Sequence, residues 1–335
     1  MSRLTQDHSQ IAPPEIMGAD QLQATREPSQ ASVAILLGTF NGERFLAEQL
    51  ESIMSQTHHD WKIFASDDGS SDNTRDILEA HQIAWGKNKL DIRSGPAKGW
   101  VANFLTLACD LSIQADYFAF CDQDDIWDLD KLAKAIEWLQ SVPDNEPALY
   151  CARTRLIDEN NQDAGYSPLF AKLPTFQNAL VQSIAGGNTM LFNQTTRALL
   201  CAAGPDLDIQ THDWWVYILA TGCGGEVFYD PLPTVRYRQH EKNLVGSNLS
   251  FGSRVRRAHR LLIGRFGAMN NRNITALMRI HHHLTPEGRH VLNQFIKARN
   301  DWLIPRAIGI NRSGVYHQTL LGNIGLIAAT LLKKL

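Results

Sequence analysis

The first apolar run of the chain reads VAILLGTFNG over residues 33–42. Five consecutive apolar residues suit a strand that is buried on both faces, as in a parallel sheet covered by helices. The Gly, Thr and Asn residues after them are typical of a turn at the end of such a strand. An amphipathic stretch follows over residues 43–55, with Asn41 as its predicted N-cap. The pattern therefore predicts a strand, a turn and a helix, which is the repeating unit of an α/β fold.

The same unit recurs farther along the chain. Further strands are predicted over residues 61–66, 90–93, 117–121, 148–153, 189–192 and 226–229. Helices are predicted over residues 72–84, 101–109, 131–140, 195–203 and 214–221, with Asp130 capping the third of these. Such alternation predicts a sheet with helices on both of its faces. Beyond Arg236 the strand signals end, and the rest of the chain is predicted to be helical.

Charge divides the chain into two parts. The 335 residues carry a formal net charge of −3, which excludes a polybasic nucleic-acid binder and a polyacidic tail protein. Residues 236–335 nevertheless contain 17 basic and only 3 acidic residues. No interleaved aromatic residues of the kind that stack on bases accompany this charge, so no nucleic-acid partner is expected.

Three regions are predicted on this basis: a disordered leader over residues 1–31, an α/β domain over residues 32–245 and a basic helical extension over residues 246–335. Five scattered cysteines without a CxxC pair indicate a reducing compartment, and no apolar run reaches the length of a membrane span. A cytoplasmic protein is expected. The basic stretch 254–266 and the apolar end before Lys333 and Lys334 have two interpretations: peripheral contact with an anionic membrane, or packing on the α/β domain.

Acidic residues collect where predicted strands end. The segment CDQDDIW, residues 121–127, places Asp122, Asp124 and Asp125 within four positions, and Asp67 and Asp68 follow an earlier strand. Like charges this close are unfavourable unless a cation neutralises them, so a divalent metal site is one interpretation. A solvated acidic turn that caps the next helix is the other. An EF-hand loop is disfavoured because its sixth position needs Gly and Trp127 stands there.

Taken together, these strand ends resemble the inverting glycosyltransferases of family 2, which have a GT-A fold. The resemblance rests on VAILLGTFN at 33–41, SIMSQT at 52–57, DDGSSDNT at 67–74 and CDQDDIW at 121–127, and it covers about residues 32–245. CDQDDIW and YRQH at 237–240 look like the rhamnosyltransferase-type members that build bacterial cell-surface polysaccharides. The resemblance implies a Rossmann-like mixed sheet flanked by helices, with a helical C-terminal extension.

The resemblance also implies roles for individual positions. The nucleotide sugar would be contacted by Thr39, Phe40, Asn41, Glu43, Asp68, Asn103, Asp122, Gln123 and Arg238. Asp68 would accept a hydrogen bond from the base, and Asp122 would lie near the ribose. Asp124 would coordinate Mg²⁺ or Mn²⁺ that bridges the diphosphate. His240 would reach the same metal, with an exposed loop histidine as the alternative.

An inverting transfer needs a base that takes the proton of the attacking hydroxyl group. Asp213 matches the catalytic acidic residue of the family. A helix-capping role for Asp213 and a catalytic role for His212 are the alternatives. The sugar that receives the transfer would be contacted by Gly187, Asn188 and Trp214, although the Gly-Gly-Asn segment at 186–188 also suits a simple tight turn.

The expected function is the transfer of a sugar from dTDP-rhamnose or a UDP-hexose to a saccharide or lipid-linked saccharide. A non-catalytic module that binds sugar nucleotides or carbohydrates on the same fold is the alternative. A sugar nucleotidyltransferase is disfavoured because the loop after the first strand lacks the required Gly-rich, basic sequence. The tract His281 to His283 is predicted to lie on a helix surface, since consecutive helical residues diverge and cannot converge on one ion.

Overall fold

The structure, a computed structural model, describes residues 31–240 and 265–335. The predicted leader, apart from its last residue, lies outside these ranges, as does the predicted boundary at residues 245 and 246. Of the basic stretch 254–266, only the last two residues fall within them.

Eleven strands and eleven α-helices are present in the described ranges. The strands are β1 (Val33–Thr39), β2 (Trp61–Asp67), β3 (Leu90–Ser94), β4 (Tyr117–Cys121), β5 (Ile126–Trp127), β6 (Ala148–Ala152), β7 (Arg155–Ile157), β8 (Asp163–Tyr166), β9 (Leu191–Asn193), β10 (Glu226–Asp230) and β11 (Val235–Arg238). The helices are α1 (Leu46–Met54), α2 (Thr74–Trp85), α3 (Trp100–Cys109), α4 (Lys131–Leu139), α5 (Phe176–Ala179), α6 (Gln194–Ala203), α7 (His212–Gly222), α8 (Arg265–Arg279), α9 (Pro286–Asn300), α10 (Leu303–Arg312) and α11 (Leu320–Leu331).

The main sheet has seven strands in the order β10-β6-β9-β4-β1-β2-β3. Neighbouring strands run parallel except at β9, which is antiparallel to both β4 and β6. The predicted mixed α/β sheet is confirmed, and every predicted strand of this sheet is present within a few residues of its expected ends.

Two hydrophobic clusters cover the two faces of this sheet. Alternate residues of β1 serve different clusters: Ala34 and Leu36 belong to one, and Ile35 and Leu37 to the other. This division follows from the two-residue period of a strand, which points successive side chains to opposite faces. A run that is apolar at every position is therefore what a strand between two helical layers requires.

The register of the strands brings the acidic segments to one edge. Thr39 of β1 lies opposite Asp67 of β2, which in turn lies opposite Ser94 of β3. Leu37 lies opposite Cys121, the last residue of β4. The loops after β1 to β4 thus open side by side at the carboxyl edge, where ligands bind in open parallel sheets.

A second sheet, in the order β5-β11-β7-β8, was not predicted. The prediction that no strand lies beyond Arg236 is wrong, because β11 continues to Arg238 and pairs with β5 and β7. Its sequence, VRYR, alternates apolar and basic residues over only four positions, and the buried residues are Val235 and Arg238, so the alternation does not identify a buried face. Residues Asn41 and Asp130 do not cap helices with their side chains; α1 begins at Leu46, and Asp130 pairs with Lys134 instead.

The C-terminal region is helical, as predicted, and packs on the α/β domain. Leu277, Phe295 and Leu326 are buried in the same cluster as Trp215 and Tyr217 of α7. His281 to His283 form a short 3₁₀ turn without a buried side chain, which agrees with their predicted surface position. None of the helices in the described ranges has both the length and the apolar character needed to cross a membrane.

Candidate active site

Gln123 ties the loop after β1 to the loop after β4. Its amide group accepts a hydrogen bond from the Phe40 backbone N–H at 2.9 Å and donates one to the Phe40 carbonyl at 3.0 Å. A Cβ at Gly42 would overlap the end of the Gln123 side chain, so a larger residue there would displace this amide. Thr39 points inward and donates to Asp67 at 3.0 Å, whereas the Phe40 ring is exposed. Two of the segments predicted to contact a nucleotide sugar are therefore joined directly.

The loops after β1 and β2 are joined in the same way. Asn41, with a positive φ of 48°, accepts a hydrogen bond from the Ser71 N–H at 2.8 Å. Glu43 accepts from the backbone and side chain of Asn73 at 3.1 and 3.0 Å. This bonding explains why Asn41 is not a helix cap: its side chain serves the neighbouring loop.

Asp68 organises the loop that follows β3. Its two carboxylate oxygens accept hydrogen bonds from the N–H groups of Ala97 and Gly99 at 2.7 and 2.8 Å. Both of these residues have positive φ angles, a conformation that this bonding supports. Asn103 is buried and bonds to the backbone and hydroxyl group of Ser66. Contacts of Asp68 and Asn103 with a base stay predictions, whereas their bonds within the protein are seen directly.

Carboxylates meet at the end of β4. Burial and the nearby carboxylates of Asp124 and Asp213 raise the pKa of Asp122 above its usual range. The Nε2 atom of His240 lies 2.8 Å from the Oδ2 atom of Asp124, although 115 residues separate the two in sequence. Asp213, which lies on α7, is one of the charges that raise the pKa of Asp122, so it is close to the acidic loop.

Asp124 and His240 offer an oxygen and an imidazole nitrogen at one point, a donor pair that suits Mg²⁺ or, better, Mn²⁺. In the described ranges, no group of three or more acidic, histidine or cysteine side chains forms a complete metal site. The two side chains therefore fit a cation that takes its remaining ligands from a bound diphosphate and from water. A metal-binding role for Asp124 and His240 stays a prediction, and a cation there would relieve the repulsion between Asp122 and its neighbouring carboxylates.

Asp125, the third acidic residue, is fully buried and has a structural role. It accepts hydrogen bonds from the Asn188 side chain at 2.5 Å and from the Arg238 backbone at 3.2 Å. Burial raises the pKa of Asp125 well above its usual range. The side-chain amide of Asn188 is bonded to Asp125. Its contact with the sugar that receives the transfer stays a prediction.

Arg238 is also buried. Its guanidinium donates to the Asp124 carbonyl at 2.9 Å, to Glu48 at 2.6 Å and to Asn161, and it lies over the Phe45 ring. These contacts position the acidic loop from beneath. Direct contact of Arg238 with the donor phosphates, which the resemblance implies, stays a prediction.

We expect Arg238→Leu to lower the free energy of unfolding by about 3 kcal/mol, because it removes a buried guanidinium that bonds to the Asp124 carbonyl and pairs with Glu48. Urea denaturation measures this change. Arg236→Leu is the matched control: Arg236 pairs with Asp128 at the surface, and we expect a loss below about 1 kcal/mol. Equal losses in the two variants would contradict the positioning role of Arg238.

Asp213 lies in the first turn of α7. The cap position is held by Thr211, whose hydroxyl oxygen accepts from the Trp214 N–H. The Asp213 carboxylate accepts hydrogen bonds from the Trp214 and Gly187 backbones, and burial raises its pKa. A partly buried carboxylate of raised pKa beside an acidic metal-binding loop can act as a general base. Thr211 holds the cap position and Asp213 accepts from the same first-turn N–H, so the role of Asp213 as the base stays a prediction.

His212 is enclosed by aromatic rings. Its imidazole stacks on Phe104 with the ring centroids 4.1 Å apart and meets Phe120 edge-on at 4.6 Å. Burial lowers its pKa to about 3, so the ring is neutral near pH 7. Any side chain at Gly187 would overlap this imidazole, which accounts for the glycine. His212 therefore suits a packing role better than that of a base.

Trp214 faces the protein interior. It is buried, and its indole N–H donates to the Ala179 carbonyl at 2.6 Å. The sequence did not reveal this orientation, because a tryptophan near the start of a helix can face either the core or a ligand. Its predicted contact with a sugar stays a prediction.

Sequence reasoning missed two residues beneath the acidic loop. Lys131 is fully buried, with its Nζ atom 3.9 Å from the centre of the Trp127 ring, and burial lowers its pKa to about 7. Gln49 also reaches this region: its amide nitrogen donates to the Asp125 carbonyl at 2.5 Å, and its amide oxygen accepts from the Trp127 indole N–H at 3.2 Å. Both occupy ordinary helical positions, so no sequence signal could identify them.

The sequence is similar to those of several known proteins. The profile of glycosyl transferase family 2 matches residues 34–200. The dTDP-rhamnosyl transferase RfbG of Shigella flexneri is 32% identical over 235 residues, which cover 66% of this chain and 77% of that protein. The putative teichuronic acid biosynthesis glycosyltransferase TuaG of Bacillus subtilis is 32% identical over 116 residues, covering 32% of this chain and 41% of that protein.

Among solved structures, S. aureus TarS 1-349 in complex with UDP-GlcNAc matches with a TM-score of 0.50 and 15% identity, covering 85% of this chain and 93% of that one. At this identity the match bears on the fold alone, and it confirms the predicted GT-A architecture. Together with the loops at the carboxyl edge of the sheet, the family profile and the similarity to RfbG show that the chain belongs to glycosyl transferase family 2, with a rhamnosyltransferase-like sequence.

Proposed function

We propose that this protein is a metal-dependent, inverting glycosyltransferase that moves a sugar from a nucleoside-diphosphate sugar to a saccharide or lipid-linked saccharide in surface polysaccharide biosynthesis. The observation that carries the proposal is the meeting of two elements: the Asp122 and Asp124 loop after β4, and Asp213 at the start of α7. The first element suits the diphosphate end of a donor, and the second suits the hydroxyl group that attacks it.

Asp213 acts as the base in this proposal. The hydroxyl oxygen of the receiving sugar attacks the anomeric carbon while its proton passes to the Asp213 carboxylate. The bond between that carbon and the phosphate oxygen breaks, and its electron pair leaves with the nucleoside diphosphate. Hydrogen bonds from the Trp214 and Gly187 backbones hold the carboxylate in place for this step.

The leaving diphosphate is placed at Asp124 and His240. A divalent cation bound there would offset the negative charge that develops on the diphosphate. Asp125 and Arg238, which are buried beneath the loop, keep these two side chains together. The loops after β1 and β2, which carry exposed Phe40 and buried Asp68, would bind the nucleoside, since both lie at the same edge of the sheet.

The donor is proposed to be dTDP-rhamnose or a UDP-hexose. The similarity to the dTDP-rhamnosyl transferase RfbG supports the first, and a UDP-hexose is kept as the alternative. A cytoplasmic location is proposed as well, because all five cysteines are free thiols.

Donor binding and transfer are tested with the purified full chain and a panel of dTDP- and UDP-sugars in the presence of Mn²⁺. We expect one donor, at about 100 times its dissociation constant, to stabilise the protein by about 2.7 kcal/mol in a thermal-shift assay. With that donor and saccharide acceptors, NMR should detect a product whose anomeric configuration is opposite to that of the donor.

Two results would contradict the proposal. If the protein binds none of the nucleotide sugars, it has no donor site of the proposed kind. Tight donor binding without transfer to any acceptor tested, and without nucleoside diphosphate release, would favour the non-catalytic binding module.

A further inference from the structure

Helices α10 and α11 present an exposed apolar surface. Ten large side chains, here named the C-terminal apolar face, are exposed: Trp302, Leu303, Ile304, Ile308, Leu320, Leu321, Ile324, Ile327, Leu331 and Leu332. In the described ranges 21 large apolar residues are exposed, and these ten fall within only 31 consecutive positions. Monomeric proteins rarely expose such a concentration of apolar side chains without a partner.

The geometry of α11 makes this face continuous. Its exposed residues recur at intervals of three or four positions from Leu320 to Leu331, which is one side of a helix. Leu326 and Ala329, on the other side, are buried in the main cluster. The helix is therefore held by the domain along one side and presents apolar side chains along the other.

Helix α10 packs against α11 and extends the surface. Ile310 is buried, while Leu303, Ile304 and Ile308 are exposed. Trp302, at the start of α10, is the only one of the eight tryptophans that is largely exposed. Tryptophan beside aliphatic residues is typical of helices that lie at a membrane interface.

The charged side chains within the segment that forms this face, residues 302–335, are all basic, and the nearest acidic residue in sequence is Asp301. No Asp or Glu occurs from Trp302 to the end of the chain. Arg312, Lys333 and Lys334 are exposed in the same region. An apolar surface whose own segment carries cations and no carboxylate side chain complements an anionic lipid surface, which supplies both hydrocarbon and negative charge.

We infer that the C-terminal apolar face binds the surface of an anionic lipid bilayer. Helices of 10 and 12 residues are much shorter than the roughly 20 residues needed to span a bilayer, so they lie in the interface. A second copy of the chain is a poorer partner, because face-to-face pairing would bring the same cations together. The inference does not depend on the proposed glycosyl transfer, which requires only the site at the sheet edge.

Vesicle flotation with the full chain tests this inference without any sugar nucleotide. We expect binding to vesicles with 30% phosphatidylglycerol in phosphatidylcholine and at least tenfold weaker binding to pure phosphatidylcholine. The triple variant Leu321→Gln, Ile324→Gln, Ile327→Gln should bind the anionic vesicles at least tenfold more weakly. The matched control, Ile83→Gln, Leu111→Gln, Leu232→Gln, changes exposed apolar residues elsewhere and should bind like the unmodified protein.

A second measurement detects contact with lipid in the unmodified protein and needs only one conservative variant. Brominated phosphatidylcholine in the anionic vesicles should quench Trp302 fluorescence, and most of this quenching should be absent in Trp302→Phe. Equal binding by the two triple variants, equal binding to both vesicle types, or no quenching would overturn the inference. Sedimentation of the unmodified protein and of the control as dimers, with the Leu321, Ile324 and Ile327 variant as a monomer, would also overturn it. A second copy of the chain would then occupy the face.

Discussion

Asp213→Asn is expected to lower the rate of sugar transfer about 10³-fold while donor affinity changes less than about twofold. General-base catalysis contributes roughly 10²- to 10⁴-fold, and an amide cannot take the proton. The substitution preserves shape and leaves an oxygen that can accept from the Trp214 or Gly187 backbone, so folding should be retained. Transfer is measured as nucleoside diphosphate release, and donor affinity by thermal shift.

The ionisation of Asp213 determines whether the transfer rate rises or falls with pH. A base works only in its ionised form, and burial raises the pKa of Asp213 above the usual 3.8. Activity should therefore rise with pH through a pKa above 3.8 and fall as the medium becomes more acidic. The residual activity of Asp213→Asn should lack this acidic limb.

Asp208→Asn is the matched control for this prediction, because Asp208 is an exposed carboxylate on the loop that precedes α7. It should transfer at the unmodified rate. Full activity of Asp213→Asn combined with inactivity of His212→Gln would reassign the base to His212, against its burial and its pKa of about 3.

Asp124→Ala is expected to reduce transfer by about 10³-fold or more at saturating Mn²⁺, and EDTA should reduce the activity of the unmodified protein similarly. A metal ion typically contributes several kcal/mol of stabilisation to charge that develops in a transition state. Asp124 and His240 are the two side chains that meet at the proposed ion. The variant should also need a higher Mn²⁺ concentration for half-maximal activity, measured by titration at fixed donor.

Asp128→Asn serves as the control here, since Asp128 lies four residues later and pairs with Arg236 away from His240. Its Mn²⁺ titration should match that of the unmodified protein. The metal role would be disproved if EDTA left the activity unchanged or if the Mn²⁺ titration of Asp124→Ala matched that of the unmodified protein. Hydrogen-bond donors of the protein would then have to stabilise the diphosphate.

Much of the fold could be predicted because it is encoded locally. Every residue of the run at 33–37 is apolar, as expected of a strand that helices cover on both faces, and β1 forms there. The acidic segments follow β2 and β4 directly, so the parallel register of the sheet had to bring them to one edge. The GT-A architecture and the family were therefore predictable from short motifs.

The second sheet and the helix caps could not be predicted in the same way. Strand β11 alternates valine, arginine and tyrosine and exists because β5 and β7 supply its hydrogen bonds. Asn41 has the chemistry of a helix cap, but its side chain bonds to Ser71 on the neighbouring loop. In both cases the partner is distant in sequence, so a local pattern carries no information about it.

The sequence by itself determined the main sheet, the position of its acidic loops and the family, because these depend on periodicity and on the residues that end strands. Only the tertiary structure decided which polar side chains support the site. Arg238 and Asp125 are buried beneath it, whereas His240 meets Asp124. A charged residue looks the same in sequence whether its partner is a ligand, water or another buried side chain, and burial is a property of the packed chain. The tertiary structure likewise decided which apolar side chains of α10 and α11 are exposed.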